Sequence, residues 1–216
     1  VGQNSFLQTI KTIYLIRHGQ TDFNQKGIVQ GSGIDSLLNA VGHRQAELFF
    51  DSYKEVPFAQ IYTSTLQRTH QTVAPFINYL KQEHVSMPEF DEINWGVMEG
   101  VEPNEESSRN FSEMLKTWRS GNLETAVEKG ETPLQLFNRQ KNGLLKLEST
   151  WPGSPVLICM HGRAMRSFLC LLTGHPLHLM DDFEHSNVCL YKLEKTASEL
   201  HYRVVVNNCT MHLQNL

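Results

Sequence analysis

The sequence predicts an α/β fold in which parallel central strands are covered by helices, and three observations lead there. Two short runs, 12–17 and 156–160, are apolar on both faces, as strands buried from both sides are. Strand-like runs alternate with segments of helical periodicity, an order that makes the central strands parallel. Each of the two apolar runs stops at a His-Gly pair, His18-Gly19 and His161-Gly162. Two imidazoles therefore fall at the carboxyl edge of the sheet, where open α/β sheets bind ligands.

Taken in order, 1–11 reads as an irregular lead-in and 12–17 as the first strand. Residues 19–36 form a loop punctuated by Gly27, Gly31 and Gly33, long for a plain connection and so a candidate for function. Asn39 has the chemistry of an N-cap, and Ala46, Phe49, Phe50 and Tyr53 mark a helix over about 40–53. Gln60-Ile61-Tyr62-Thr63 is a second strand. Ser64 or Thr65 is expected to cap the next helix, which shares Leu66, Val73, Ile77 and Leu80 on one face and should kink at Pro75. Residues 90–100 read as extended chain and loop.

The composition changes over 89–131, where eleven Asp and Glu face four Lys and Arg and where Met114 and Trp118 supply apolar anchors. That segment is expected to be an inserted helical subdomain or lid with an acidic surface. Pro133 opens a helix to about 149. The strand at 156–160 leads into a helix over about 163–173, ended by Gly174 and Pro176. Two further strands, 187–193 and 200–206, form a hairpin around 194–199.

The chain has 216 residues and a formal charge of −4, enough for one sizeable core and at most a small accessory lobe. The negative balance disfavours nucleic acid and anionic membranes as partners. No apolar run approaches a membrane span, and the first twelve residues lack a signal-peptide pattern, so the expected location is cytoplasmic. Cys159, Cys170, Cys189 and Cys209 are scattered without a CxxC pair, the usage of reduced thiols. His175 and His178 have a ligand-like spacing but lack further donors, and no metal site is expected there.

The paired strand ends carry the chemistry. Arg17 stands beside His18, and Arg68 arrives in the first turn of a helix, where a cation opposes the helix dipole and a stabilising role explains it poorly. Arginines grip phosphate through paired hydrogen bonds and are costly to bury alone. Two of them around an imidazole suit the equatorial oxygens of a phosphoryl group in transfer, with His18 as nucleophile and His161 beside it. A departing alkoxide needs a proton, and Glu92 and Glu99 are the acids within reach in sequence. A metallohydrolase built from His18, His161 and Glu92 is disfavoured, because adjacent guanidiniums repel a dication.

Arg17-His18-Gly19-Gln20-Thr21-Asp22-Phe23-Asn24 resembles the signature of the histidine phosphatase superfamily, in its phosphoglycerate mutase-like branch. The likeness continues through the stretch with Asp35, Leu37, Gly42, Gln45 and Ala46, and through the blocks at 62–69, 92–100, 130–132 and 161–166, nearly the whole chain. The resemblance implies a single three-layer α/β/α sandwich domain with a mostly parallel central sheet and a helical lid over the pocket. It implies metal-independent phosphomonoesterase activity through a phosphohistidine at His18, on a small phosphorylated metabolite and with no cofactor. Arg17, Arg68 and His161 would line the phosphate pocket, Asn24 would bond a phosphate oxygen, and Glu92 would be the acid and then the base for water. Gln30 and Gly31 fall at substrate-contacting positions of the family, the Gly162 N–H would add a donor, and Glu99 would be structural. Arg163 departs from the common pattern; it would add a second anion contact or pair with the acidic lid, and the pairing is favoured. The short acidic 89–131 segment favours a phosphatase over a cofactor-dependent phosphoglycerate mutase. A non-catalytic regulator that binds phosphorylated ligands is the reading from another class, and a dimer through the edge hairpin or the lid is compatible with the sequence.

Overall fold

The computed structural model describes residues 10–216, so most of the lead-in expected over 1–11 lies outside the described residues. Strand β1 (Lys11–Arg17) is followed by the short helix α1 (Asp22–Lys26) and by α2 (Ala40–Tyr53). Strand β2 (Gln60–Thr63), α3 (Gln67–Leu80) and the two-residue β3 (Val85–Ser86) come next. After 3₁₀ turns at Pro88–Phe90 and Gly96–Met98 the chain forms α4 (Glu105–Arg119), α5 (Pro133–Ser149), β4 (Val156–Met160) and α6 (Gly162–Thr173). The antiparallel pair β5 (Leu190–Lys195) and β6 (Arg203–Cys209) closes the sheet.

The six strands lie in the order β3-β2-β4-β1-β5-β6. The β3-β2, β2-β4 and β4-β1 pairs are parallel, while β1-β5 and β5-β6 are antiparallel. Parallel pairs thus make up the half of the sheet that carries both His-Gly ends. One face packs Ile13, Leu15, Ile158 and Met160 against α5 and α6. The other packs Ile16, Ile61, Leu157 and Cys159 against Phe49 of α2 and Val73 and Phe76 of α3. The alternation along β1 and β4 places successive side chains in opposite cores, which is why these strands are apolar throughout. Arg17 pairs with Met160 in register, and the His18 N–H donates to the Met160 carbonyl at 3.0 Å. That register brings His18 and His161 to one sheet edge.

Local chemistry explains most boundaries. The Asn39 side chain accepts from the Gly42 N–H and starts α2. Pro133 and the Thr132 capping box start α5. Gly174, at φ 73°, ends α6 in the left-handed conformation. The expected cap of α3 by Ser64 or Thr65 is wrong: Leu66 is the N-cap residue and makes no side-chain cap bond. Ser64 Oγ instead accepts from the Leu66 N–H, and Thr65 is held by Asp91. The first N–H of α3, on Gln67, donates to Asp35 Oδ1 at 2.7 Å. The helix continues through Pro75 to Leu80.

The 89–131 segment contributes Phe90, Ile93, Trp95, Met114 and Trp118 to the same core as α5 and α6. Trp95 and Trp118 stack with ring centres 5.5 Å apart. The two strands of the terminal hairpin begin about three residues later than the sequence pattern suggested, because 187–189 is committed to the loop beneath the site. All four cysteines are free. No helix among the described residues is long and apolar enough to cross a membrane.

Candidate active site

A cavity of about 340 Å³ opens at the shared edge of β1 and β4, lined in part by Arg17, His18, Asn24, Gln30, Glu92, Gly162, Arg163, Arg166 and His185. His18 is buried, and its Nδ1 lies 2.7 Å from the Gly19 carbonyl. A carbonyl only accepts, so Nδ1 carries the proton and Nε2 keeps its lone pair. Burial, with Arg68 and Arg17 close by, holds the His18 pKa well below its ordinary 6.5. The imidazole is therefore neutral at neutral pH. Gly19 has no room for a side chain, since a Cβ would stand 2.6 Å from the Gly42 carbonyl at the start of α2.

Behind His18 lies a second buried layer. The His161 ring centre is 5.2 Å from that of His18. Arg68 Nε donates to His161 Nδ1 at 3.0 Å, which leaves Nε2–H to donate to Ser64 Oγ at 2.7 Å. Ser64 in turn bonds Thr69 Oγ1, whose proton goes to the Leu66 carbonyl. The hydrogen bonds thus run in one direction and fix the His161 tautomer. The terminal nitrogens of Arg68 donate to the Ile34 and Gly31 carbonyls. Both residues are fully buried and neither lines the cavity, contrary to the expectation that they do. Each of the three Arg68 nitrogens spends one N–H on the protein, and His161 spends its Nε2–H on Ser64.

Glu92 is buried and lines the same cavity. Its Oε1 accepts from the Ile93 and Ala164 N–H groups at 2.9 and 2.8 Å, and Oε2 accepts from the Arg163 N–H at 3.0 Å. The carboxylate sits on the N-terminus of α6, whose own N-cap residue, His161, supplies no side-chain bond. Oε2 holds one bond against two on Oε1, so it is the oxygen with room for a proton. The backbone carrying Glu92 is clamped by Arg139 of α5, which donates to the carbonyls of Glu89, Asp91 and Glu92 and pairs with Glu131.

Asn24 lies in α1, and its Oδ1 accepts from the Thr21 N–H and from Asn187 Nδ2. Asn24 also lines the cavity. Gln30 lines the cavity, but its amide donates to Thr21 Oγ1 and accepts from Ser36 Oγ. Gly31 does not reach the cavity; it lies against Glu99, where a Cβ would stand 2.1 Å from Oε1. Glu99 also accepts from the Trp95 N–H. A Cβ on Gly162 would come within 2.8 Å of the His185 ring, so only glycine lets that ring approach. The first N–H of α6, on Gly162, has no acceptor within the helix.

Sequence reasoning missed three participants. His185 lines the cavity and accepts from Arg17 NH1 at 3.3 Å. Burial and the charges of Arg17, Arg166 and Arg163 push its pKa down to about 2. Asn187 donates to the His18 carbonyl as well as to Asn24. Arg166 lines the cavity and shares Asp181 with Arg163, at 2.8 and 2.6 Å. Arg163 therefore pairs with Asp181 rather than with the acidic segment, and its guanidinium stacks over Trp118 and Trp95. Arg17 Nε is buried without a partner.

The family model described as "Histidine phosphatase superfamily (branch 1)" matches residues 13–208. A Bacillus subtilis protein described as an uncharacterized phosphatase, PhoE, is 32% identical over 201 residues, 93% of this chain and 96% of that protein. A probable phosphoglycerate mutase of Yersinia enterocolitica, GpmB, is 32% identical over 186 residues, 86% of each chain. A solved mycobacterial glucosyl-3-phosphoglycerate phosphatase aligns with a TM-score of 0.81 at 20% identity, covering 92% of this chain and 99% of its own; that likeness speaks to the fold alone.

Proposed function

The chain belongs to the histidine phosphatase superfamily, and from that premise we propose that it hydrolyses a small phosphomonoester through a phosphohistidine at His18. One observation carries the reading: a neutral imidazole whose Nδ1 is locked to the Gly19 carbonyl, on the wall of a cavity rich in arginine. Nε2 attacks phosphorus and the ester P–O bond breaks. Arg17, the Asn24 amide and the Gly162 N–H hold the phosphoryl oxygens. Protonated Glu92 gives its proton to the departing alkoxide, then takes one from water as that water attacks phosphorus. The P–N bond breaks, His18 is regenerated, and inorganic phosphate leaves. Arg68 acts from behind, keeping His18 unprotonated by its charge, and neutral His161 packs against the His18 ring. No step is routed through a metal or cofactor.

The phosphatase-named relative at 32% identity supports this reading, and the equally similar probable mutase supports a phosphoglycerate mutase as the second one. Arg163 and Arg166 would then take the substrate's carboxylate, but Asp181 already bridges both. The test is rapid-quench labelling with a radiolabelled aryl phosphate after EDTA treatment. Acid-labile phosphate should appear on the wild type and vanish in His18→Ala together with turnover. A His18→Ala variant with normal turnover would remove His18 as nucleophile, and a requirement for a bisphosphate primer would favour the mutase.

A further inference from the structure

A second cavity, of about 380 Å³, adjoins the first and shares Gly27, Val29 and Phe111 with it. Its remaining lining comes from Val97, Met98, Val101 and Pro103 on one side and from α4 on the other. No Lys, Arg, His, Asp or Glu lines it. Three serines and Asn110 do, but two of those hydroxyls are turned to the helix backbone: Ser107 Oγ donates to the Asn104 carbonyl and Ser112 Oγ to that of Ser108. The acids of the 89–131 segment do not line it either, so the segment's negative charge is carried outside both cavities except for Glu92. Val97 and Val101 are 49% and 42% exposed, an apolar rim open to solvent beside a buried cationic site.

We propose that this second cavity seats the alcohol part of the substrate, so that the preferred substrates are phosphomonoesters of uncharged, largely apolar alcohols or phenols. The inference rests on the phosphatase reading and names the substrate class for that same site. With its phosphoryl group against Arg17 and His18, an ester reaches the second cavity over the shared Val29 and Phe111 surface. An apolar moiety there leaves water at a gain for each methylene buried. A carboxylate or second phosphate would lose hydration with no cation, and only the Ser108 hydroxyl and the Asn110 amide, to replace it.

The test separates binding from turnover. Affinities of methyl-, butyl- and hexylphosphonate and of 3-phosphonopropionate are measured by calorimetry on the whole chain; their C–P bonds are not hydrolysed. The expected result is a rise of about two- to fourfold per added methylene, with 3-phosphonopropionate at least about tenfold weaker than butylphosphonate. Val101→Asp, on the exposed rim, should lower the hexyl-to-methyl affinity ratio. A flat series, no binding at any length, or tighter binding of the carboxylate-bearing ligand overturns the inference. Length-dependent binding combined with no turnover of methyl, hexyl or phenyl phosphate would keep the cavity's preference and remove the phosphatase reading.

Discussion

Glu92 closes the first turn of α6 with the same carboxylate that the proposed reaction needs for proton transfer. Glu92→Gln separates the two roles. The amide oxygen can keep the bonds to Ile93 and Ala164, but an NH₂ replaces Oε2 and meets the Arg163 N–H donor to donor. The expected stability loss is about 1–2 kcal/mol, read by urea unfolding. Independently of that loss, turnover of alkyl phosphates should fall at least about a hundredfold more than that of nitrophenyl phosphate, whose leaving group needs no proton. Equal losses on both would leave Glu92 a structural role alone. Among single residues, Arg17, His18 and Glu92 were legible because each stands next to a strand end or turn that the pattern located. Arg68 was found by asking why a cation sits at a helix N-terminus; the same question put to Arg163 and Arg166 finds two more cavity arginines. His185 and Asn187 gave no such signal, since they lie in an irregular stretch between α6 and β5 and reach the site only through tertiary packing.

At the scale of elements, α5 positions the acid without touching the cavity. Arg139 fastens the 88–92 turn to α5 through four backbone carbonyls and is itself held by Glu131. Arg139→Met keeps much of the side chain's length but leaves those carbonyls without their charged donor. It should cost about 2–3 kcal/mol in unfolding free energy and, because Glu92 loses its anchor, should reproduce in weaker form the leaving-group dependence of Glu92→Gln. A stability loss with no change in leaving-group dependence would show that α5 merely packs. The strands and long helices were readable from periodicity, Pro and Gly. The start of α3 was not, since its carboxylate cap, Asp35, comes from a loop 32 residues earlier in the chain. The hairpin's register was also missed, because alternation along 187–206 does not say where the loop under the site ends.

Across the whole molecule, three histidines at the site are held neutral. Burial is the largest cause for His18, His161 and His185, with Arg68 or Arg17 next. Each folded-state pKa lies below the ordinary 6.5, so in acid the unfolded chain binds protons that the folded one refuses. Stability is therefore full above about pH 6.5 and falls as pH drops below it, by up to about 1.4 kcal/mol per pH unit for each histidine. Urea midpoints measured from pH 7.5 to 4.5 should show this decline, and His185→Gln should make it shallower; a flat profile would mean these rings protonate freely in the folded state. The fold class was legible because two apolar strands and their alternating helices dictate it. That the acidic segment shares the main core was not, since Trp95 and Trp118 declare their neighbours only once Arg163 and α6 are in place. The two helices that frame the site, α3 and α6, both begin without a side-chain cap of their own. Asp35 reaches 32 residues forward to one, and Glu92 reaches 71 residues forward to the other. Until those long loops close, the first turns holding Arg68 and Gly162 fray, since closure precedes the bonds that reward it. A chain in which either loop stays open therefore lacks a capped first turn on one side of the pocket, and with it part of the constellation around His18.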